Sequence, residues 1–172
     1  MPKKTSLAKV LLSKCIPALL FAVLIMIALG YICGYRAILV NGWSAEPHIA
    51  YQSLIVTYKC KQKDLKVGDF ITFTMSGKSY VTHQIVSIDY ENDEIVCKGW
   101  QYNSETQEYE HQTDSQTLKY KNVVGKVILS NYIIGKTIFT IKENLLILFG
   151  IIGLFVLLLI LKDELSIEPQ FN

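Results

Sequence analysis

One serine and one histidine make the strongest case for chemistry in this chain. Ser44 lies in the segment GWSAEP at 42–47, where glycine and proline favour a sharp turn that exposes the hydroxyl. His83 lies in the alternating segment YVTHQIV at 80–86 and shares one face with Val81 and Ile85. A hydroxyl beside an imidazole suits nucleophilic attack assisted by a general base. By composition alone, an ordinary turn serine and a half-buried, hydrogen-bonded strand histidine are the more common explanation of the two residues.

Other catalytic or metal-binding groups are sparse. The remaining histidines are His48 and His111, and the cysteine spacing matches no zinc-binding pattern. Cys60 and Cys97 lie where a disulfide is permitted, although the sequence does not establish that they meet. We find no phosphate-binding glycine loop, and we predict no cofactor, no metal and no nucleic-acid partner.

Short strands must position these side chains. β-Branched and aromatic residues alternate with period two and predict strands at 53–59, 70–75, 80–88, 94–98 and 123–129. Turn residues separate these segments at 67–69, 76–78 and 91–93. The polar stretch 101–116 is predicted to be a long functional or mobile loop. The pattern therefore predicts a mainly β domain, a small antiparallel sandwich or barrel.

Two uncharged apolar segments flank this domain. They cover residues 16–33 and 145–161, and each is close to the roughly 17–25 residues that a membrane-spanning helix needs. Lysines precede the first segment, so the positive-inside rule places the N-terminus in the cytoplasm. The first segment is longer than the ~7–15-residue apolar core of a cleaved signal peptide, which favours an uncleaved anchor.

These segments predict a multi-pass protein of the cell membrane with two spans. The expected parts are a basic cytoplasmic N-terminus at 1–15 and a first transmembrane helix at 16–34. An external β-rich domain follows at 35–143. A second transmembrane helix at 144–161 then returns the chain to a cytoplasmic tail at 162–172. The lipid bilayer is therefore an expected partner.

Residues 40–126 resemble signal peptidase I, in the ER-type branch that archaea and some Gram-positive bacteria also have. The family has a Ser-Met-Glu-Pro box after its first span, matched here by Ser-Ala-Glu-Pro at 44–47. Its Val-Gly-Asp turn is matched at 67–69, and its strand His-Arg pair by His83 and Gln84. Its Lys-Gly-Asp segment is matched in part by Lys-Gly-Trp at 98–100. A later aspartate, here Asp114, precedes the final Val-Gly-Lys-Val segment at 124–127.

The resemblance implies roles for particular residues. Ser44 would be the nucleophile, His83 the general base and Asp114 the acid that orients the imidazole, as in a Ser-His-Asp triad. Glu105 and Glu110 are alternative acids in the same segment. We also predict that the residues beside the nucleophile contact the substrate: Trp43, Ala45, Glu46 and Pro47.

Four positions depart from the family pattern. Ala45 replaces the methionine of the box, Gln84 replaces the arginine after the histidine, and Trp100 replaces an aspartate. Gly42 stands where the family has a Ser or Thr whose hydroxyl helps to form the oxyanion hole. Losing one such donor costs roughly 10²–10³ in turnover. These departures indicate reduced activity or an altered substrate groove.

Together these features predict a membrane-bound serine endopeptidase that removes signal peptides from exported preproteins at the outer membrane face. The expected partners are preprotein signal peptides, with the secretion machinery as a further candidate. One alternative is a catalytically weak assembly factor for surface proteins such as pili, which the four departures motivate. Another is an unrelated two-span scaffold, which a hydrogen bond between Ser44 and His83 would argue against.

Overall fold

A computed structural model describes residues 14–75 and 79–165. Its helices are α1 (Ile16–Ile32), α2 (Tyr132–Glu143) and α3 (Leu145–Leu165). Its strands are β1 (Tyr35–Leu39), β2 (Leu54–Tyr58), β3 (Phe70–Met75), β4 (Ser79–Asp89), β5 (Glu94–Asn103), β6 (Glu108–Leu118) and β7 (Val123–Asn131). The predicted turn at 76–78, residues 1–13 of the basic N-terminus and residues 166–172 of the tail lie outside the described residues.

The seven described strands form one antiparallel sheet in the order β1-β2-β7-β3-β4-β5-β6. The prediction of a mainly β domain is confirmed. Four of the five predicted strands agree with observed ones to within two residues at each end, and the fifth, at 94–98, is the first half of β5. β1 is an edge strand, since it pairs only with β2. Residues of β1 and β4 nevertheless line one cavity, so the sheet curls until these strands face each other.

The prediction of a loop at 101–116 is wrong. This stretch completes β5 and forms β6, and the two strands pair from Ile95↔Leu118 to Asn103↔Glu108. Beyond position 100 the residues of the hairpin are all at least partly exposed, so neither face of the hairpin is buried. Without a buried face there is no alternation of apolar and polar residues, which is the signal that identifies a strand.

Two apolar clusters hold the domain together. The larger one lies among β3, β4 and β5 and is built on Ile71, Phe73, Ile85, Ile95 and Cys97. The smaller one consists of Val40, Ala45, Ile49 and Ile55 and lies under the connection between β1 and β2. The first cluster fixes β4, and the second fixes the β1–β2 connection.

The disulfide permitted between Cys60 and Cys97 is not formed, because both are free thiols. Cys97 is completely buried in the larger cluster, and burial raises the pKa of its thiol to about 12. Cys97 therefore behaves as a small apolar core residue.

The helices lie outside the sheet. Among the described residues, no single helix is both long and apolar enough to cross a membrane. Two consecutive helical segments satisfy that criterion only together, and they join at a bend of 62°: Tyr132–Glu143 and Leu145–Phe155. α1 is an apolar helix of 17 residues with no buried side chain. The two spans predicted from the sequence stay a prediction.

Candidate active site

The structure brings the predicted nucleophile and base together. Oγ of Ser44 lies 3.0 Å from Nε2 of His83, although the residues are 39 positions apart. This distance lies within the range that a nucleophile needs for proton transfer to its base. Ser44 is half-buried, whereas His83 is only 4% exposed. The site is therefore partly shielded from water on the imidazole side.

The loop between β1 and β2 holds Ser44 through its backbone. At its base, the N–H of Val40 donates to the carbonyl oxygen of Ser53 at 2.9 Å. Ala45 is 1% exposed in the smaller cluster, so the residue next to the nucleophile is fixed by packing. The carbonyl oxygen of Ser44 accepts from the N–H of Trp100 at 2.7 Å, which ties the loop to β5.

The other predicted substrate contacts surround Ser44. Trp43 is 63% exposed and stacks on Tyr51, with ring centroids 4.2 Å apart. Oε1 of Glu46 accepts from the backbone N–H of Tyr51 at 3.0 Å, which braces the loop. Pro47 is exposed in the same turn and follows a cis peptide bond. Of this group, Trp43 and Glu46 line a cavity that also includes Ser44.

His83 is placed by the sheet. It lies opposite Ile71 of β3, and its ring meets the Phe73 ring edge to face with the centroids 6.0 Å apart. Burial lowers the pKa of His83, while the side chain of Gln116 acts in the opposite direction and raises it. Since burial is the larger effect, the imidazole is neutral at neutral pH and ready to accept the proton of Ser44.

The structure does not bring Asp114 to His83. Asp114 is exposed and forms no hydrogen bond with the imidazole. It lies where β5 and β6 shift register, between the pairs Lys98↔Ser115 and Trp100↔His111. Gln116, an uncharged residue of the same strand, interacts with His83 instead.

Gln116 is the functional residue that sequence reasoning missed. It pairs with Cys97, which pairs in turn with Ile85, two residues along β4 from His83. Its amide is close enough to raise the pKa of His83. Among the described residues, however, neither Nδ1 of His83 nor Oε1 of Gln116 forms a hydrogen bond of normal geometry. A neutral amide therefore stands where the resemblance implies an acid.

The alternative acids are also on the β5–β6 hairpin and do not reach His83. Oε1 of Glu110 accepts from the side-chain amides of Gln101 and Asn103 at 3.3 and 3.2 Å. Glu105 lies exposed near the hairpin turn. Among the described residues, no carboxylate hydrogen-bonds to His83, so the site is a Ser–His pair with an amide beside it.

Two departures from the family pattern contact each other. Nε1–H of Trp100 donates to Oε1 of Gln84 at 3.1 Å, and Nε2 of Gln84 donates to the carbonyl oxygen of Gly68 at 3.0 Å. The Trp100 ring also packs against His111, with centroids 4.2 Å apart. Both substitutions therefore belong to one contact that joins β4, β5 and the Val-Gly-Asp turn.

The third departure affects the oxyanion hole. Gly42 supplies no hydroxyl, but among the described residues the backbone N–H of Ser44 has no hydrogen-bond acceptor. This N–H is available to the carbonyl oxygen of a bound peptide. One donor at this position stabilises an oxyanion less than two donors would.

Ser44 lies between two cavities. The first, which we call the cleft, has a volume of about 330 Å³. Its lining comes from β1 and the residues after it, from β4 and from Ser44 itself. The second, which we call the aromatic pocket, has a volume of about 430 Å³ and also includes Ser44. A peptide crossing Ser44 would therefore have space on both sides of its reacting carbonyl.

The described residues contain no group of three or more His, Cys, Asp or Glu side chains placed to hold a metal ion. No protein-family model and no curated protein matches the chain. The chemistry of the site must therefore be inferred from its residues and their geometry.

Proposed function

We propose that the chain is a membrane-anchored serine endopeptidase of the signal peptidase I kind, which cuts export signals at the outer face of a membrane. The observation that carries the proposal is the 3.0 Å contact between Oγ of Ser44 and Nε2 of His83. The same contact argues against a scaffold that only binds.

The reaction follows from this geometry. Oγ of Ser44 attacks the scissile carbonyl carbon while its proton passes to Nε2 of His83. The backbone N–H of Ser44 stabilises the resulting oxyanion. As the C–N bond breaks, His83 donates the proton to the leaving amine, and Ser44 keeps the acyl group as an ester. His83 then takes a proton from water, which attacks the ester carbonyl carbon. As the ester C–O bond breaks, His83 returns the proton to Oγ of Ser44, and the acid product leaves.

The cleft fits an extended peptide. Ser79 to His83 of β4 pair with β3 on one side but have no partner in β5, because the β4–β5 pairing begins at Gln84. β1 also has a free edge. Both edges border the cleft, so a peptide between them would gain backbone hydrogen bonds on each side.

The lining of the cleft favours small side chains. Val40, Ala45 and Val81 narrow it next to Ser44. Export signals end in small residues of the Ala-x-Ala sort, which a narrow cleft accepts while it excludes larger ones.

The apolar helices support the membrane part of the proposal. The side chains of α1 are largely exposed, and α2 with α3 has the length and composition of a bent span. A further cavity, lined by Ile27 and Tyr31 of α1, shares Ile38 and Tyr80 with the cleft. A signal peptide whose apolar helix lies beside α1 in the bilayer could therefore extend directly into the cleft.

A second candidate function is a catalytically weak assembly factor for surface proteins. Gly42 removes one oxyanion donor, and among the described residues no carboxylate stabilises the imidazolium of His83. Both changes lower the expected turnover without affecting peptide binding in the cleft.

The test is cleavage of a membrane-inserted preprotein by the full chain in liposomes. We expect wild type to cut after the small-residue motif, and Ser44→Ala and His83→Ala to fall by at least about 10³-fold. Ser87→Ala, an exposed serine elsewhere on β4, is the matched control and should cut normally. A wild-type protein that binds preproteins but does not cut them would favour the assembly factor. Full activity of Ser44→Ala would refute the proposed mechanism.

A further inference from the structure

The aromatic pocket has no role in the mechanism above. Four aromatic rings and one carboxylate dominate its lining: Trp43, Trp100, Tyr102, Tyr109 and Glu46. Trp43 and Tyr102 are 63% and 56% exposed, so the pocket is open to solvent. Rings that surround a site beside a carboxylate form an arrangement that attracts a cation through both the ring faces and the negative charge.

Glu46 is held in place at the pocket. Its Oε1 accepts from the N–H of Tyr51 at 3.0 Å, and its Oε2 accepts from the hydroxyl of Tyr109 at 3.1 Å. Among the described residues, Glu46 forms no salt bridge with a lysine or arginine. Its negative charge is therefore oriented and available to a cation that enters the pocket.

The hairpin that carries the pocket is acidic. Between positions 99 and 118 there is no lysine or arginine. The hairpin has four exposed acids in this range: Glu105, Glu108, Glu110 and Asp114. Such a one-sided distribution of charge attracts cationic segments to the pocket.

The position of the pocket indicates which part of a substrate it meets. The cavity at α1 shares the lining residues Ile38 and Tyr80 with the cleft, and the cleft and the aromatic pocket share Ser44. A signal peptide that enters from α1 fills the cleft up to the scissile bond. The residues that follow the cut must then lie in the aromatic pocket.

We infer that the aromatic pocket binds a lysine or arginine side chain within the first three residues after the cut, and so selects preproteins whose mature part begins with a basic residue. This inference rests on the proposed function. Glu46 faces the cation, and the rings of Trp43, Tyr102 and Tyr109 cover its apolar stem and charged head.

The experiment compares three preproteins that differ only at the second residue after the cut, which is Lys, Gln or Glu. The full wild-type chain in liposomes should cut the Lys substrate about three- to tenfold faster than the Gln substrate in kcat/KM, and the Glu substrate slowest. The ratio should shrink at high salt, because screening weakens the attraction.

Variants show whether the pocket produces the preference. Glu46→Gln removes the charge, while its carbonyl oxygen can still accept from the N–H of Tyr51 and its amide NH2 can donate to the hydroxyl of Tyr109, so the Lys-to-Glu rate ratio should fall toward one. Tyr102→Leu should lower the same ratio by removing a ring. Glu91→Gln removes an exposed acid at the β4–β5 turn and should leave the ratio unchanged.

Each outcome decides a different point. Equal cutting of the three substrates by wild type overturns the inference and leaves the proposed function intact. A preference for Lys that survives in Glu46→Gln and Tyr102→Leu also overturns it, since the selection would arise elsewhere. Failure to cut any of the three substrates would overturn both.

Discussion

At the scale of the residue, burial rather than a neighbouring anion sets the charge of His83. The side chain is 4% exposed, and burial lowers its pKa because the charged imidazolium loses hydration. Gln116 opposes this shift only in part. The base is therefore neutral over a wider pH range than an ordinary histidine, but its cation is poorly stabilised once formed.

The first prediction concerns pH dependence. Activity requires neutral His83, so it is lost as the pH falls through the lowered pKa of the imidazole. The acid limb of kcat/KM should therefore have its midpoint below the ordinary histidine value of about 6.5. The measurement is preprotein cleavage from about pH 4 to about pH 9. A midpoint at or above the ordinary value would contradict this account.

Gln116→Glu provides the matched change. A carboxylate beside the imidazole favours the charged form, so the acid limb should move up by about one pH unit or more. Gln101→Glu adds the same charge on the exposed hairpin and should hardly move the limb. If Gln116→Glu changes the rate but not the midpoint, Gln116 has only a structural role.

The residues of the site differ in how far the sequence alone can predict them, and the reasons are physical. Ser44 and His83 could be singled out because each lies in a motif of consecutive residues, and the family resemblance implies their roles. Gln116 could not, since it reaches His83 only through the pairings of β4 with β5 and of β5 with β6. The register shift opposite Gly99 moves Asp114 away, and a shift of this kind leaves no signal in the spacing of residues.

At the scale of the element, strands with one buried face were predictable and the others were not. In β4 the buried residues His83 and Ile85 alternate with half-buried neighbours, and β3 has three successive buried residues at 71–73, so burial marks both strands in the sequence. β6 has no fully buried residue, and β1 is an edge strand of five residues with the same property. Backbone pairing rather than side-chain burial defines both.

Helix α2 also depends on a contact that the apolar pattern does not reveal. Gly135 faces the turn before β2, where an added Cβ would overlap the backbone of Gln52, Ser53 and Leu54. Phe139, one turn later, is 9% exposed near Tyr51. α2 therefore packs against the same loop that carries Ser44.

The second prediction tests this contact. Gly135→Ala should lower the free energy of unfolding by about 1–3 kcal/mol, because the backbone beneath the helix must move. Thermal unfolding of the full chain in detergent measures the loss. Gly153→Ala is the control, since a Cβ at that position in α3 meets no atom within 4 Å. Equal stability of Gly135→Ala and wild type would show that α2 does not pack closely.

At the scale of the whole molecule, the proposed orientation places the sheet outside a membrane that α1 enters. The chain offers a native probe of this arrangement, because exposed cysteines lie at the two ends of α1. Cys15 precedes the helix and Cys33 follows it, and both are free thiols. The proposal puts Cys15 at the cytoplasmic face and Cys33 at the outer face.

A membrane-impermeant maleimide applied to intact cells should therefore label Cys33 and leave Cys15 unlabelled until the membrane is opened. Cys60→Ser removes the partly exposed cysteine of the domain, and Cys97 is buried too completely to react quickly. In this background, Cys33→Ser should abolish labelling of intact cells, whereas Cys15→Ser should not change it. Labelling of Cys15 from outside would reverse the orientation, and the site would then face the cytoplasm, where no export signal emerges to be cut.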